Sequence, residues 1–456
     1  MKQCFLLRNN RRWRVLLETV SLSDLTSILP QEQIMVEEEN DHPLGNGGYI
    51  TVFPETEEEI QVILKYAGDH DKKITIQGRG TKRGYGGQNE KADILLSLSK
   101  YKGIVEHTVG NMTITVKAGT PFHELQTYLA EHQQRVSLDP AWPEQATIGG
   151  IIGSNESGPK RLGYGSSRDV VIGLRMVYPD GSIIRSGGKV VKNVAGYDMN
   201  KLFIGSMGTL AVMSEVVLKL RPLAKYESLV LLSFPEGNLE AVRLFATTLL
   251  ESMMEPVTLE LLTPALSERL TGQRVYTMAI SFEDVKSAVH YQEEFVKSIS
   301  PAQVQMDILP QEKAKAFWDQ FYILRPNGAL PSTDTETVAT VKIGVTNLDV
   351  VHVLKESELL QDSHNLVIQG HGGLGHGLCQ VTLKGASDNI LSAITHLRQV
   401  VEQLNGYLIV THLPYVLRQQ VSVWGKPPSY FYLLEGIKTK VDPKRILNDK
   451  RYVGGI

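Results

Sequence analysis

An α+β protein of at least two domains is the fold class this sequence predicts, and three observations carry that prediction. Residues 140–222 are crowded with glycine, at 149, 150, 153, 158, 163, 165, 173, 181, 187, 188, 196, 205 and 208, yet apolar strand-like runs thread them at 170–177 and 210–220. After Pro222 glycine thins out, and strand-like and helix-like runs alternate to about Leu413, the texture of an antiparallel sheet with helices on it. Residues 430–440 then read as a helix stopped by Val441-Asp442-Pro443, with KRILNDKRY beyond it. Glycine tolerates positive φ and close approach, so its clustering within a folded segment suits main chain laid against a flat or charged ligand.

In chain order, residues 49–54 form a short strand, and Thr56 with Glu59 makes a capping-box pattern. Ile60, Ile63, Leu64 and Ala67 fall on one face of the helix that follows. Strands are predicted at 73–77, 93–97 and 112–117, and a helix at 122–132. Beyond Pro222, strands are expected at 229–234, 276–282 and 338–345, and helices at 239–253, 285–298 and 350–360. The chain has 456 residues, 42% hydrophobic and 21% charged, with net charge −3. That balance offers no field to nucleic acid or an anionic membrane. No apolar run approaches the roughly 20 residues of a membrane span. The basic start has an apolar run only at 4–7, interrupted by Arg11, Arg12 and Arg14, too short for a signal segment. Cys4 and Cys379 are the only cysteines, too few for a disulfide framework or for the four thiolates of an iron–sulfur cluster. A cytoplasmic protein is expected.

The loop Gly78-Arg79-Gly80-Thr81-Lys82-Arg83-Gly84-Tyr85-Gly86-Gly87 misses the dinucleotide fingerprint in its spacing and the P-loop in its ending. It reads as a glycine-rich hairpin loop or as an anion nest, with N–H groups, the Thr81 hydroxyl and flanking cations able to meet a pyrophosphate.

Four motifs in order resemble a known family: GRGTKRGYGG, ATIGGIIGSNESGPKRLGYGSSRDVVIGLRMVYPDGSIIRSGG, KNVAGYDMNKLFIGSMGTLAVMSEVVLKLRPL and VDPKRILN. Together they resemble the vanillyl-alcohol-oxidase-type (PCMH-type) FAD-binding flavoproteins, and within them the glycolate oxidase FAD-binding subunits. The resemblance is strong over about 45–222 and 430–450 and weak between. It implies an FAD-binding domain of two α+β subdomains over 45–222, and an α+β cap with an antiparallel sheet over 223–413. A C-terminal segment, 414–456, would return to the FAD domain, and 1–44 would be an N-terminal extension.

Carried over residue by residue, the resemblance puts Gly78, Arg79, Gly80, Thr81 and Lys82 on the FAD pyrophosphate. Thr147, Ile148, Gly149, Gly150 and Gly153 would run along the isoalloxazine and ribityl chain, continued by Ser154, Asn155 and Gly158. Gly208, Thr209, Leu210 and Val212 would contact the adenine side. The loop 78–87 contains no His or Cys, so the FAD is expected to be noncovalent.

The implied activity is oxidation of glycolate, or another small 2-hydroxy acid, by hydride transfer to FAD, within a complex holding a second flavoprotein and an iron–sulfur subunit. An FAD-holding assembly subunit and a stand-alone flavin oxidase are the alternatives. Relatives that oxidise such acids carry a His-Ala-Gly-Asp-Gly-x-x-His metal motif. Here Gln369-Gly-His-Gly-Gly-Leu-Gly-His-Gly377 sets His371 and His376 five apart without the acid, so no metal site is expected. Either one of these imidazoles reaches the flavin as base or substrate ligand, or the two are exposed histidines on a glycine-rich turn. Arg325 is a candidate carboxylate clamp, because a guanidinium holds a carboxylate through two parallel hydrogen bonds. Its alternative is a surface arginine before a turn, and Lys342 is a weaker candidate.

Overall fold

The computed structural model describes residues 22–36, 42–189, 196–234, 238–330 and 336–456. The sequence motif at 192–195 and most of the N-terminal extension (1–21 and 37–41) lie outside the described residues.

Two subdomains share one core. The first is a four-stranded sheet in the order Ile34–Val36, Gly47–Val52, Lys91–Ser97, Ile74–Gln77, its last three strands parallel. The helix Glu57–Asp69 makes the crossover. Thr56 Oγ1 accepts from Glu59 N–H at 3.2 Å, and Glu59 Oε2 accepts from Thr56 N–H at 3.2 Å, so the expected capping box forms. Ile60, Ile63, Leu64 and Ala67 are fully buried. The second subdomain is a five-stranded antiparallel sheet in the order Ile104–Thr108, Thr113–Lys117, Val212–Lys219, Val171–Val177, Ile183–Gly187.

From Tyr226 onward the chain builds an eight-stranded sheet in which every pairing is antiparallel. Side chains alternate between faces with period two. Val230, Leu232, Val341, Ile343, Cys379 and Val381 join one core, beneath the helices Leu239–Leu250, Lys286–Ile299, Asp349–His364 and Ser387–Gln403. Leu229 and Leu231 face the other way, onto Phe317, Trp318 and Phe321 of the helix Gln311–Tyr322. On this second face Thr340, Lys342, Gln380, Thr382, Gln369 and His371 replace the apolar residues. It is the face turned toward the two subdomains.

A loop and a tail lock the parts together. After Tyr322 the chain runs over the first region: Trp142 Nε1 donates to Arg325 O at 2.8 Å, Trp142 N to Tyr322 O at 3.0 Å and Gly328 N to Thr81 O at 2.9 Å. Past the helix Phe431–Val441, Leu447 bridges Ile74 in parallel. The Asn448 side chain accepts from Ile76 N at 2.8 Å and donates to Met207 O at 2.6 Å.

Lys438 is the only buried residue of that helix. Its ammonium donates to Thr209 O at 2.7 Å, Asp442 Oδ2 at 2.7 Å and Leu447 O at 3.0 Å. Burial lowers the Lys438 pKa, while Asp442 opposes the shift. Asp442 in turn accepts from Ile446 N and Leu447 N at 3.0 and 2.9 Å. Removing one partner of such a pair leaves a buried charge unpaired, so Asp442→Ala should cost about 3–5 kcal/mol in a denaturant-unfolding experiment. A loss below about 1 kcal/mol would show that the tail is held by other means.

Candidate functional site

Where the tail meets the two subdomains lies a cleft of about 780 Å³, a volume that includes space open to solvent. One wall is the short helix Ile148–Ser154, whose N-cap Thr147 accepts from Gly150 N at 3.3 Å. Ile148, Ile151 and Ile152 turn into the core. Gly149, Gly150, Gly153 and Ser154 therefore fall on the opposite side and line the cleft with bare backbone. A Cβ at Gly153 would meet nothing within 4 Å, which leaves space above the main chain.

The second wall is the loop after Ile74–Gln77. Gly78, Arg79, Gly80, Thr81 and Lys82 all line the cleft, with Gly80 at φ +78°. Among the described residues, the backbone N–H groups of 79–82 donate to no protein acceptor, as an anion nest requires. Gly208, Met207, Ala211 and Met213 form the third wall, and Asn448 and Arg451 of the tail close it. Arg451 is buried, donates to Tyr85 O and Lys82 O, and burial lowers its pKa to about 10. Unengaged N–H groups, the buried Arg451 guanidinium and glycine-lined space fit FAD, with the loop suited to the pyrophosphate and the glycine helix to the flat ring.

Six expected residues do not line the cleft. Ile148, Thr209, Leu210 and Val212 are buried, with Thr209 Oγ1 donating to Ser206 O at 2.7 Å. Asn155 ends the helix in the left-handed region at φ 46°. Gly158 donates to Asp139 at 2.9 Å, on the far side of the helix end. Ile148 is turned away by the helical period and Val212 by the strand period, each beside residues that do line the cleft.

A second pocket adjoins the cleft, sharing Thr81, Lys82 and Ser154 with it. Its roof is the polar face of the eight-stranded sheet. In register, His371 pairs with Gln380 and Gln380 with Lys342, so the three side chains stand in a row. A bulge between Val410 and His412 brings His412 opposite Thr340 and onto the same face. Lys342, Gln380, Thr340 and His412 line the pocket with Arg325, Trp142, Tyr85 and Glu156.

The Lys342 ammonium makes no hydrogen bond or ion pair among the described residues. Its enclosure, then Arg161 and Arg325, lower its pKa to about 8. Burial, then Arg418 and His42, push His412 down to about 4, so its imidazole is neutral at pH 7. Gln380 Oε1 is buried without a partner, an acceptor facing the pocket that calls for a donor. Sequence reasoning passed over His412, Gln380, Asn448 and Arg451.

Of the expected catalytic residues, Arg325 lies in this pocket, Nη1 3.3 Å from Glu156 Oε1. His371 and His376 instead converge on the buried Glu260: His371 Nδ1 is 2.8 Å from Oε2 and His376 Nε2 3.3 Å from Oε1. Burial alone would raise the Glu260 pKa, but the two imidazoles hold it below the ordinary value. Leu378 N donates to His376 Nδ1 at 3.3 Å, which fixes His376 in the hairpin turn. His371 lines a small cavity with Arg325 and Gln380, one side chain removed from the pocket. Among the described residues no group of three or more His, Cys, Asp or Glu is disposed to hold a metal ion.

Comparison with known proteins agrees with the cleft. Residues 49–187 match the family described as FAD binding domain. The glycolate oxidase subunit GlcD of Bacillus subtilis is 33% identical over 211 residues, 46% of this chain and 44% of that protein. The matched part thus spans less than half of that relative's length. A D-lactate dehydrogenase of Archaeoglobus fulgidus is 25% identical over 90% of this chain and 93% of its own. The 4-ethylphenol oxidase of Gulosibacter chungangensis shares the fold, with a TM-score of 0.74 at 14% identity, over 94% of this chain and 95% of that one. No helix among the described residues is long and apolar enough to cross a membrane.

Because the Gly153 position opens onto space, Gly153→Phe should fill the cleft without disturbing the core. The purified variant should carry little flavin absorbance and unfold at the wild-type denaturant midpoint. Full flavin content would place the ring elsewhere.

Proposed function

From a chain whose residues 49–187 are an FAD binding domain, we propose an FAD-linked oxidoreductase of the glycolate oxidase and D-lactate dehydrogenase type, which oxidises a small 2-hydroxy acid, glycolate to glyoxylate being the simplest case. The carrying observation is a pocket that abuts the flavin cleft and holds Lys342 and Arg325 beside a neutral imidazole.

Arg325 and Lys342 hold the substrate carboxylate, and Gln380 lines the pocket beside Lys342. His412 takes the hydroxyl proton as the C–H bond breaks, leaving a 2-keto acid. FAD, when bound, accepts the hydride. His371, oriented by Glu260, is the second available base, but it reaches the pocket only across Gln380. The FAD is held noncovalently in this reading. Electrons pass on to a partner flavoprotein and iron–sulfur subunit in the cytoplasm, because Cys4 and Cys379 cannot hold a cluster. A second reading, an FAD-holding assembly subunit without turnover, draws on the engagement of both His371 and His376 by Glu260.

Anaerobic addition of glycolate or D-lactate to the purified holoprotein separates the two. Bleaching of the flavin bands, slowed about 100-fold or more in His412→Asn and less in His371→Asn, is the expected result. Bands that persist with both acids favour the assembly role.

The pH dependence has a defined sign. Lys342 is charged below about 8 and neutral above it, in a setting that also holds Arg325, Arg161, Lys82, Glu156 and His412. KM for the acid should be flat below that pH and rise above it as the cation is lost. Lys342→Arg should flatten the rise. A wild-type KM constant from about pH 7 to pH 10 would remove Lys342 from the carboxylate site.

A further inference from the structure

We propose that Glu156 determines specificity, as an internal carboxylate that sets the pocket to admit a substrate with one carboxylate group rather than two. The inference rests on the hydroxy-acid reading above and narrows its substrate class to 2-hydroxy monocarboxylates.

Glu156 follows the glycine helix directly and is 9% exposed, yet it lines the substrate pocket. A carboxylate so placed is unfavourable unless paired. It is paired on both oxygens: Oε2 meets Lys82 Nζ, and Oε1 lies 3.3 Å from Arg325 Nη1 and accepts from Ala141 N at 3.3 Å. Burial would raise its pKa, but Lys82 and then Arg325 more than offset this and keep it below the ordinary value. It is therefore charged throughout the neutral range.

This changes what the pocket offers an anion. Of the three lining cations, Lys82 and Arg325 are engaged by Glu156, and Lys342 is not. One incoming carboxylate finds Lys342 and the remaining donors of the Arg325 fork. A second carboxylate on the same molecule finds no unengaged cation among these three and meets the fixed charge of Glu156, a like-charge contact that suppresses the wrong partner. Hydrogen-bond geometry alone would give Glu156 a different role, holding Arg325 in place, and the two roles separate by experiment.

Propionate and succinate, which differ by one carboxylate and are not 2-hydroxy acids, serve as probes. Their dissociation constants are read from the perturbation of the flavin spectrum in the holoprotein. Wild type should bind propionate more tightly than succinate. Glu156→Gln, which removes the charge and keeps the shape, should tighten succinate about tenfold more than propionate, the equivalent of roughly 1.4 kcal/mol. Glu156→Asp should keep the wild-type ratio. An unchanged ratio in Glu156→Gln, or equal weakening of both anions, would overturn the proposal and leave Glu156 as a support for Arg325. Loss of flavin from Glu156→Gln would also overturn it, since the residue would then serve the cofactor. A wild type that responds to neither anion would instead overturn the hydroxy-acid reading, and this inference with it.

Discussion

The buried ammonium of Lys438 is the point on which the flavin cleft depends. A lysine without solvent needs acceptors on every donor, and it takes three from two parts of the chain: the Thr209 carbonyl, and the Asp442 carboxylate and Leu447 carbonyl of the tail. These contacts set the strand entering Val212–Lys219 against the C-terminal tail. Asn448 then ties the same tail to Ile76, at the root of the loop 78–82, and to Met207. Two of the three cleft walls and its closing residues are thus held by one small polar network. That network joins the last residues of the chain to segments more than 200 residues earlier.

The second constraint is the period of the eight-stranded sheet. One face must be apolar to pack its helices, so the alternate residues are free to be polar where the sheet faces the flavin domain. Thr340 and Lys342, Gln380 and Thr382, Gln369 and His371 are such alternate pairs on three neighbouring strands. The charges on this roof are not balanced one for one. Burial lowers the Lys342 pKa, and Arg161 and Arg325 add to the shift. Glu156 is held ionised from across the pocket. The pocket thus holds charges that the fold has already desolvated.

Much of this was legible in the sequence, for local reasons. The capping box at Thr56 and the apolar face behind it depend on neighbours within a few residues. The helix predicted at 430–440 lies at Phe431–Val441. The cofactor residues that did not reach the cleft show the limit of carrying a motif over whole. In TIGGIIGS the spacing of Ile148, Ile151 and Ile152 already marks them as the core face, which leaves the glycines outside. The second pocket was harder to see, because it is assembled across strands. Lys342 sits in VATVKIGV and Gln380 in LCQVTLKG, and only the register sets them side by side. His412 needed a bulge that no local pattern announces. Asn448 and Arg451 lie within KRILNDKRY and were visible as a motif. Their direct contribution to the cleft is a tertiary fact.

The account stands or falls on whether the C-terminal tail helps to build the flavin site. Its most direct test is the FAD affinity of the double variant Asn448→Ala/Arg451→Ala, measured by titrating the apoprotein with FAD and following flavin fluorescence. The account predicts affinity at least about tenfold weaker than wild type, the equivalent of losing roughly one charged hydrogen bond, with the helices of the eight-stranded sheet still folded by circular dichroism. Wild-type affinity in that folded variant would contradict it, and would mean that the flavin lies against the two subdomains without help from the tail.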